Sequence, residues 1–184
     1  MLRNTDLSWG AAAKLLHWSV AALVFAQIAL GWAAVSWRLS PTKFDLFVFH
    51  KSIGVLILLL MIIRVAWRAV NTAPSLPADM RRMERRAAHA SHLLLYLLLL
   101  VMPLTGWLVT SAANIPFRIF WLIPLPAIAG PDKALADAAA RIHFVLFVLL
   151  SLLLAAHIGA ALRHHFVKHD DVLKRMLPGM GGAS

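Results

Sequence analysis

No cysteine occurs among the 184 residues of this sequence, which excludes disulfides, thiolate metal sites and iron–sulfur ligation. Acidic residues are scarce too: eight against eighteen lysines and arginines, for a formal net charge of +10. Charged residues make up only 14% of the chain, while 61% is hydrophobic and the mean hydropathy is +0.76. A soluble domain would sit near half apolar, and the excess here lies in long unbroken runs, not in one-sided helical stripes. Such runs are buried in lipid. A charge of +10 can signal nucleic acid, but these basic residues gather at the ends of apolar runs, where membrane proteins place them. The expected partner is membrane lipid, and no nucleic acid. What the chain has in abundance is histidine, nine in all.

Four runs reach the roughly 20 apolar residues needed to cross a bilayer: about residues 15–37, 46–67, 93–112 and 142–162. The expected fold is an all-α membrane protein, a four-transmembrane-helix bundle forming one domain over residues 1–184. The first run is not read as a signal peptide, because His17 lies inside it and no clear small-residue cleavage site follows. A short loop, 38–45, makes the first two helices antiparallel neighbours. Residues 68–89 read as a longer basic loop with Pro74 and Pro77. Residues 113–130, broken by Pro116, Pro124 and Pro126, read as an interfacial excursion and not a fifth span. Pro131 and Asp132 open a short helix that runs into the fourth span.

Four spans place both termini on one side. That side receives Arg3, Lys14, Arg64, Arg68, Arg81, Arg82, Arg85, Arg86, Arg163, Lys168, Lys174 and Arg175. The other receives Arg38, Lys43, Lys51, Arg118, Lys133 and Arg141, offset by Asp45, Asp132 and Asp137 to a net +3. Basic residues favour the cytoplasmic side, so both termini are expected in the cytoplasm.

Ionisable groups within spans are costly and mark functional sites. His17 lies near the cytoplasmic start of the first span and His50 near the outer start of the second. The fourth span carries His143 near its outer start and His157 near its cytoplasmic end. Their fourteen-residue spacing is about 21 Å along a helix and about 40° short of four full turns, so both rings leave one face at opposite depths. Two pairs follow: His17 with His157, and His50 with His143. Facing imidazoles in a bundle suit an iron porphyrin held by two axial ligands. Zinc would need more ligands than each pair offers. The competing reading is that the histidines hydrogen-bond between helices.

Gly31, fourteen residues after His17, reaches the outer depth, and Gly54 is one turn past His50. Both could relieve crowding beside a planar ligand, or serve close helix packing. Arg64, fourteen residues after His50, brings a cation to the inner depth. It could meet a haem propionate or snorkel to the surface. The tryptophans near span ends read as interfacial anchors, and Tyr96, the single tyrosine, reads as a packing residue.

The ordered segments Leu16-His17-Trp18, His50-Lys51-Ser52-Ile53-Gly54, Arg64-Val65-Ala66-Trp67-Arg68, His89 with His92, Met102-Pro103-Leu104-Thr105-Gly106-Trp107, His143, His157, His164-His165-Phe166 and Leu173-Lys174-Arg175-Met176-Leu177-Pro178 resemble the bacterial cytochrome b561 family, related to hydrogenase cytochrome b subunits. The likeness runs over nearly the whole chain. It implies two haem b groups with axial ligands on His17, His50, His143 and His157, a bacterial inner-membrane location, and electron exchange with the quinone pool. One relative oxidises superoxide outside the membrane while reducing ubiquinone.

His164, two turns past His157, would lie below the inner haem, and His89 and His92 open the third span at that level. Histidine can both hydrogen-bond a quinone carbonyl and supply a proton, so all three are quinone candidates; the alternative is wetting by water and headgroups. His165 and His169 read as a solvated tail. The expected function is electron transfer from a periplasmic donor, superoxide among the possibilities, through the outer and then the inner haem to ubiquinone. The competing functions are a non-catalytic carrier docking a periplasmic redox protein or dehydrogenase, and a transporter or assembly protein with structural histidines.

Overall fold

A computed structural model of the chain describes residues 1–6, 8–76 and 80–179. Among these residues, four helices are long and apolar enough to cross a membrane. They are α1 (Ala11–Ser36), α2 (Pro41–Ala69), α3 (Arg82–Ala112) and α4 (Lys133–Arg163). Each outruns its apolar stretch, because polar turns continue a helix that lipid has already stabilised. The largest difference is at α3, where residues 82–89, expected in a loop, are helical. Pro77 of that loop lies outside the described residues.

The ends of the helices follow local chemistry. Ser40 caps α2 through Lys43 N, with Pro41 in the first turn. Asp132 caps α4 through Leu135 N at 3.0 Å, so the expected short helix and the fourth span are one continuous element. Past Arg163 the chain widens into a π turn over His164–Lys168. Such turns are often found at functional sites.

Between α3 and α4 there is no fifth helix, as the prolines implied. Two short strands, β1 (Arg118–Ile119) and β2 (Ile123–Pro124), pair antiparallel. Phe120 and Trp121 at the turn have positive φ, 47° and 63°, which is costly for bulky side chains. Both rings lie against Phe49, and Phe120 N donates to Ser52 Oγ at 2.8 Å, so contacts with α2 hold the turn. The arm is also tied to α3, with Trp107 Nε1 donating to the Pro126 carbonyl at 2.8 Å.

At the opposite end, α1 is closed by the C-terminal segment: Lys14 Nζ donates to the Leu177 carbonyl and Trp18 Nε1 to that of Met176. We call these the hairpin end and the terminal end. The helices pack α1 on α2, α2 on α3 and α3 on α4. Among the described residues, no such backbone seam joins α4 to α1 or α2. Val20 and Val24 of α1 and Ile57 and Met61 of α2 form the buried core, flanked by Leu99, Leu100 and Leu154. Outward side chains such as Phe25, Leu97 and Leu152 are exposed and apolar, as a lipid-facing surface requires.

Candidate functional site: two imidazole pairs

Where α4 stands off from α1 and α2, histidines bridge the space. His17 of α1 and His157 of α4 have ring centres 6.4 Å apart at the terminal end. His50 of α2 and His143 of α4 have ring centres 6.3 Å apart at the hairpin end. Two metal–nitrogen bonds of about 2 Å each, with half a ring at either end, span about 6 Å. The pairs therefore match one metal centre apiece, reached from two helices. Among the described residues, no cluster of three or more metal-ligating side chains supplies the fuller shell that zinc would need.

The hairpin-end pair is built from all four helices. His143 Nδ1 lies 2.9 Å from Thr105 Oγ1 and 3.1 Å from the Met102 carbonyl. Thr105 Oγ1 itself donates to that carbonyl at 2.7 Å. A carbonyl only accepts, so the proton belongs on Nδ1 and Nε2 keeps its lone pair for a metal. Pro103 interrupts the ladder of α3 at this turn. Gly106 is required beside it: a Cβ there would stand 3.2 Å from His143 Cε1. Gly31 does the same for His50, where a Cβ would come within 2.9 Å of Cε1. Gln27 Nε2 donates to the His50 carbonyl at 2.7 Å, while Gln27 Oε1 and His50 Nδ1 are buried without a hydrogen-bond partner. A Cβ at Gly54 would lie 3.3 Å from the Gln27 amide nitrogen, and Gly54 lines a cleft of about 40 Å³ against the pair.

The terminal-end pair is organised by Arg64. Its guanidinium reaches His17 Nδ1 at 3.0 Å and donates from Nε to the Tyr96 hydroxyl at 3.0 Å. It turns into the bundle, which removes snorkelling as its role, and Tyr96 is more than a packing residue. Arginine has no acceptor, so His17 Nδ1 accepts here and the neutral ring carries its proton on Nε2. Metal ligation through Nε2 would require that proton to move and Arg64 to release the ring. His92 lies with its ring centre 5.6 Å from that of His157, closer than His17. Thus a third imidazole joins this end.

The other histidines separate. His164 is buried and paired with Asp170, whose second oxygen accepts from Val172 N at 3.1 Å. His89, one turn before His92, is exposed. His169 is exposed as expected, but His165 Nδ1 is buried without a partner, so His165 does not belong to a solvated tail.

Four residues at the site carried no assigned role in the sequence: Gln27, Met102, Thr105 and Gly106. The signal was there for three of them, since a Pro-Leu-Thr-Gly break in an apolar run marks a backbone opened for a partner. Gln27 could have been found as the polar side chain one helical turn before Gly31.

The donor set of the hairpin end suits a porphyrin: a free Nε2 on His143, an unpartnered nitrogen on His50, and glycines against both rings. The terminal-end residues fit after the one exchange at Arg64. A helical membrane bundle with such imidazole pairs defines the class as a membrane-embedded electron-transfer cytochrome. The sequence model for prokaryotic cytochrome b561 matches residues 8–179, and the chain belongs to that family. Membership implies haem b as the cofactor and membrane electron transfer as the activity. Cytochrome b561 homolog 2 of Escherichia coli (strain K12) is 36% identical over 179 residues, covering 95% of this chain and 93% of that protein. The probable superoxide oxidase CybB of Yersinia pestis is 28% identical over 170 residues, 91% of this chain and 94% of that protein. Cytochrome b561 homolog 1 of Escherichia coli (strain K12) is 27% identical over 167 residues, 89% of this chain and 93% of that protein.

Proposed function

We propose that residues 1–184 act as one domain that carries electrons across the bacterial inner membrane, from superoxide outside to ubiquinone near the cytoplasmic face. The observation that carries this reading is the pair of matched imidazole separations, 6.3 and 6.4 Å, at opposite ends of one helix. In this reading His50 and His143 hold one haem b, and His17 and His157 hold a second. Haem supplies the reversible one-electron chemistry; the protein supplies axial ligands, a dry surround and tuning hydrogen bonds.

The hairpin end would face the periplasm and the terminal end the cytoplasm, because the terminal end collects twelve of the eighteen basic residues. Arg64 would meet a haem propionate once it releases His17. Reduction of a quinone takes up protons as well as electrons. His164, held by Asp170 at the end of α4, is the group suited to hand one over. His92 stands against the inner pair and His89 at the surface beside it, completing the quinone candidates.

The superoxide donor is suggested by the likeness to the probable superoxide oxidase of Yersinia pestis. The competing function is a carrier that docks a periplasmic redox protein or a dehydrogenase. Two measurements test the proposal. A reduced-minus-oxidised spectrum should give two low-spin haems per chain. A superoxide pulse should reduce them at near-diffusional rate; spectral counts of one haem, or no reduction by superoxide, would overturn the respective part.

A further inference from the structure

Beside the His50–His143 cleft lies a second space. It is about 220 Å³ in volume and sits between the end of α3 and the hairpin arm. Trp107, Thr110, Phe117 and Leu125 line both, so the chamber and the cleft share a wall. The polar side chains of that wall are committed elsewhere. Thr110 Oγ1 donates to the Gly106 carbonyl at 3.0 Å and Trp107 Nε1 to that of Pro126 at 2.8 Å.

Among the described residues, one cation faces this wall. Lys51 lines the cleft with both histidines, and its ammonium sits 5.5 Å from the centre of the Phe117 ring. Its side chain is partly buried, and among the described residues it has neither a hydrogen bond nor an ion pair. Among the described residues, no aspartate or glutamate lines either space. A half-buried ammonium without a counter-charge is costly unless an anion visits it. At about 220 Å³ the chamber is smaller than a drug-sized pocket of roughly 300 Å³ or more. It admits a small ion and excludes a protein side chain cluster.

We infer that Lys51 and the chamber under the hairpin arm form the access and holding site for a small anionic one-electron donor. The inference rests on the superoxide reading of the function and names where that donor binds. His50 and His143 would hold the haem, which would supply a one-electron acceptor: superoxide would lose one electron to it and leave as dioxygen, with no bond to the protein formed and no proton moved. The anion is attracted to Lys51 and the neutral product is not, so the same charge that captures the donor releases what it becomes.

The test is pulse radiolysis of the purified, haem-loaded protein with two reductants, superoxide and the neutral 2-propanol radical. K51Q should slow reduction by superoxide about tenfold, the lower end of electrostatic steering, and leave the neutral radical unaffected. K51R should restore most of the rate. A127W, placed on the exposed rim of the chamber, should slow superoxide with haem content unchanged. K51Q protein reduced by superoxide as fast as wild type overturns the inference. So does a K51Q protein that loses haem or slows equally toward both reductants, which would assign Lys51 to the porphyrin's own carboxylates. Wild-type protein that superoxide fails to reduce removes the proposed donor itself, a failure distinct from both.

Discussion

Gly31 of α1 is pressed against the imidazole of His50 on α2: a methyl group on Gly31 would sit 2.9 Å from Cε1, closer than carbon atoms tolerate. The ring must shift to make room, and any shift changes its facing of His143, its partner at 6.3 Å. Substituting G31V should therefore abolish one haem and spare the other. Haem-to-protein ratio should fall from two to about one, with the remaining spectrum that of a bis-imidazole centre.

The three histidines of the terminal end can be ranked in the same way. H17A and H157A should each lose the inner haem. H92A should keep both, because the 5.6 Å between His92 and His157 is short for rings on opposite sides of an iron. Pyridine haemochrome counts on the three variants decide this. An H92A protein lacking one haem would exchange the roles of His17 and His92.

Thr105 tests the tuning of the outer centre. With its hydroxyl gone, His143 Nδ1 keeps only the Met102 carbonyl. A histidine whose Nδ1 proton meets a weaker acceptor donates less charge to ferric iron. One neutral hydrogen bond of about 1 kcal/mol corresponds to roughly 40 mV for one electron. T105V should raise the outer midpoint potential by an amount of that order in a redox titration, and leave the inner potential in place.

Arg64 should matter to haem retention. A carboxylate left without its buried cation costs about 3 kcal/mol or more, roughly a hundredfold in affinity. R64Q should shed the inner haem on dilution or mild detergent challenge while the outer haem stays. Y96F removes the acceptor that steadies Arg64 Nε, and should show the same loss in weaker form.

Asp170, just past the π turn, holds His164 where that turn begins. Proton transfer by a positioned side chain contributes about a hundredfold or more, so D170N should slow quinone reduction at least tenfold. Reduction of the haems by the external donor should be unchanged. Steady-state quinol formation and single-turnover haem reduction separate the two.

That His17 would stand near His157 and His50 near His143 could be foreseen from spacing alone, because fourteen residues bring a helix back to nearly the same face; the closer approach of His92 to His157 could not. The same count put Gly31 at the level of His50. Contacts with the backbone could not be foreseen. The Met102 carbonyl reaches His143 only because α3 is interrupted at Pro103, and an acceptor of this kind has no residue type to betray it. Tyr96 was hidden for another reason: an uncharged phenol among leucines shows its role only when Arg64 is seen turning inward. Helix ends were misjudged wherever polar turns, as at residues 82–89, extend beyond the apolar run. The π turn at His164 is a change of hydrogen-bond register, which no hydropathy period records.

Val20, Val24, Ile57 and Met61 lie between the two imidazole pairs, and Ser151, the hydroxyl of α4 at this level, is turned back onto the Phe147 carbonyl at 2.8 Å. No chain of exchangeable hydrogens crosses that layer among the described residues. It offers protons no relay. On the proposed direction of flow, each electron passing inward would leave the two faces oppositely charged and so add to the voltage across the membrane.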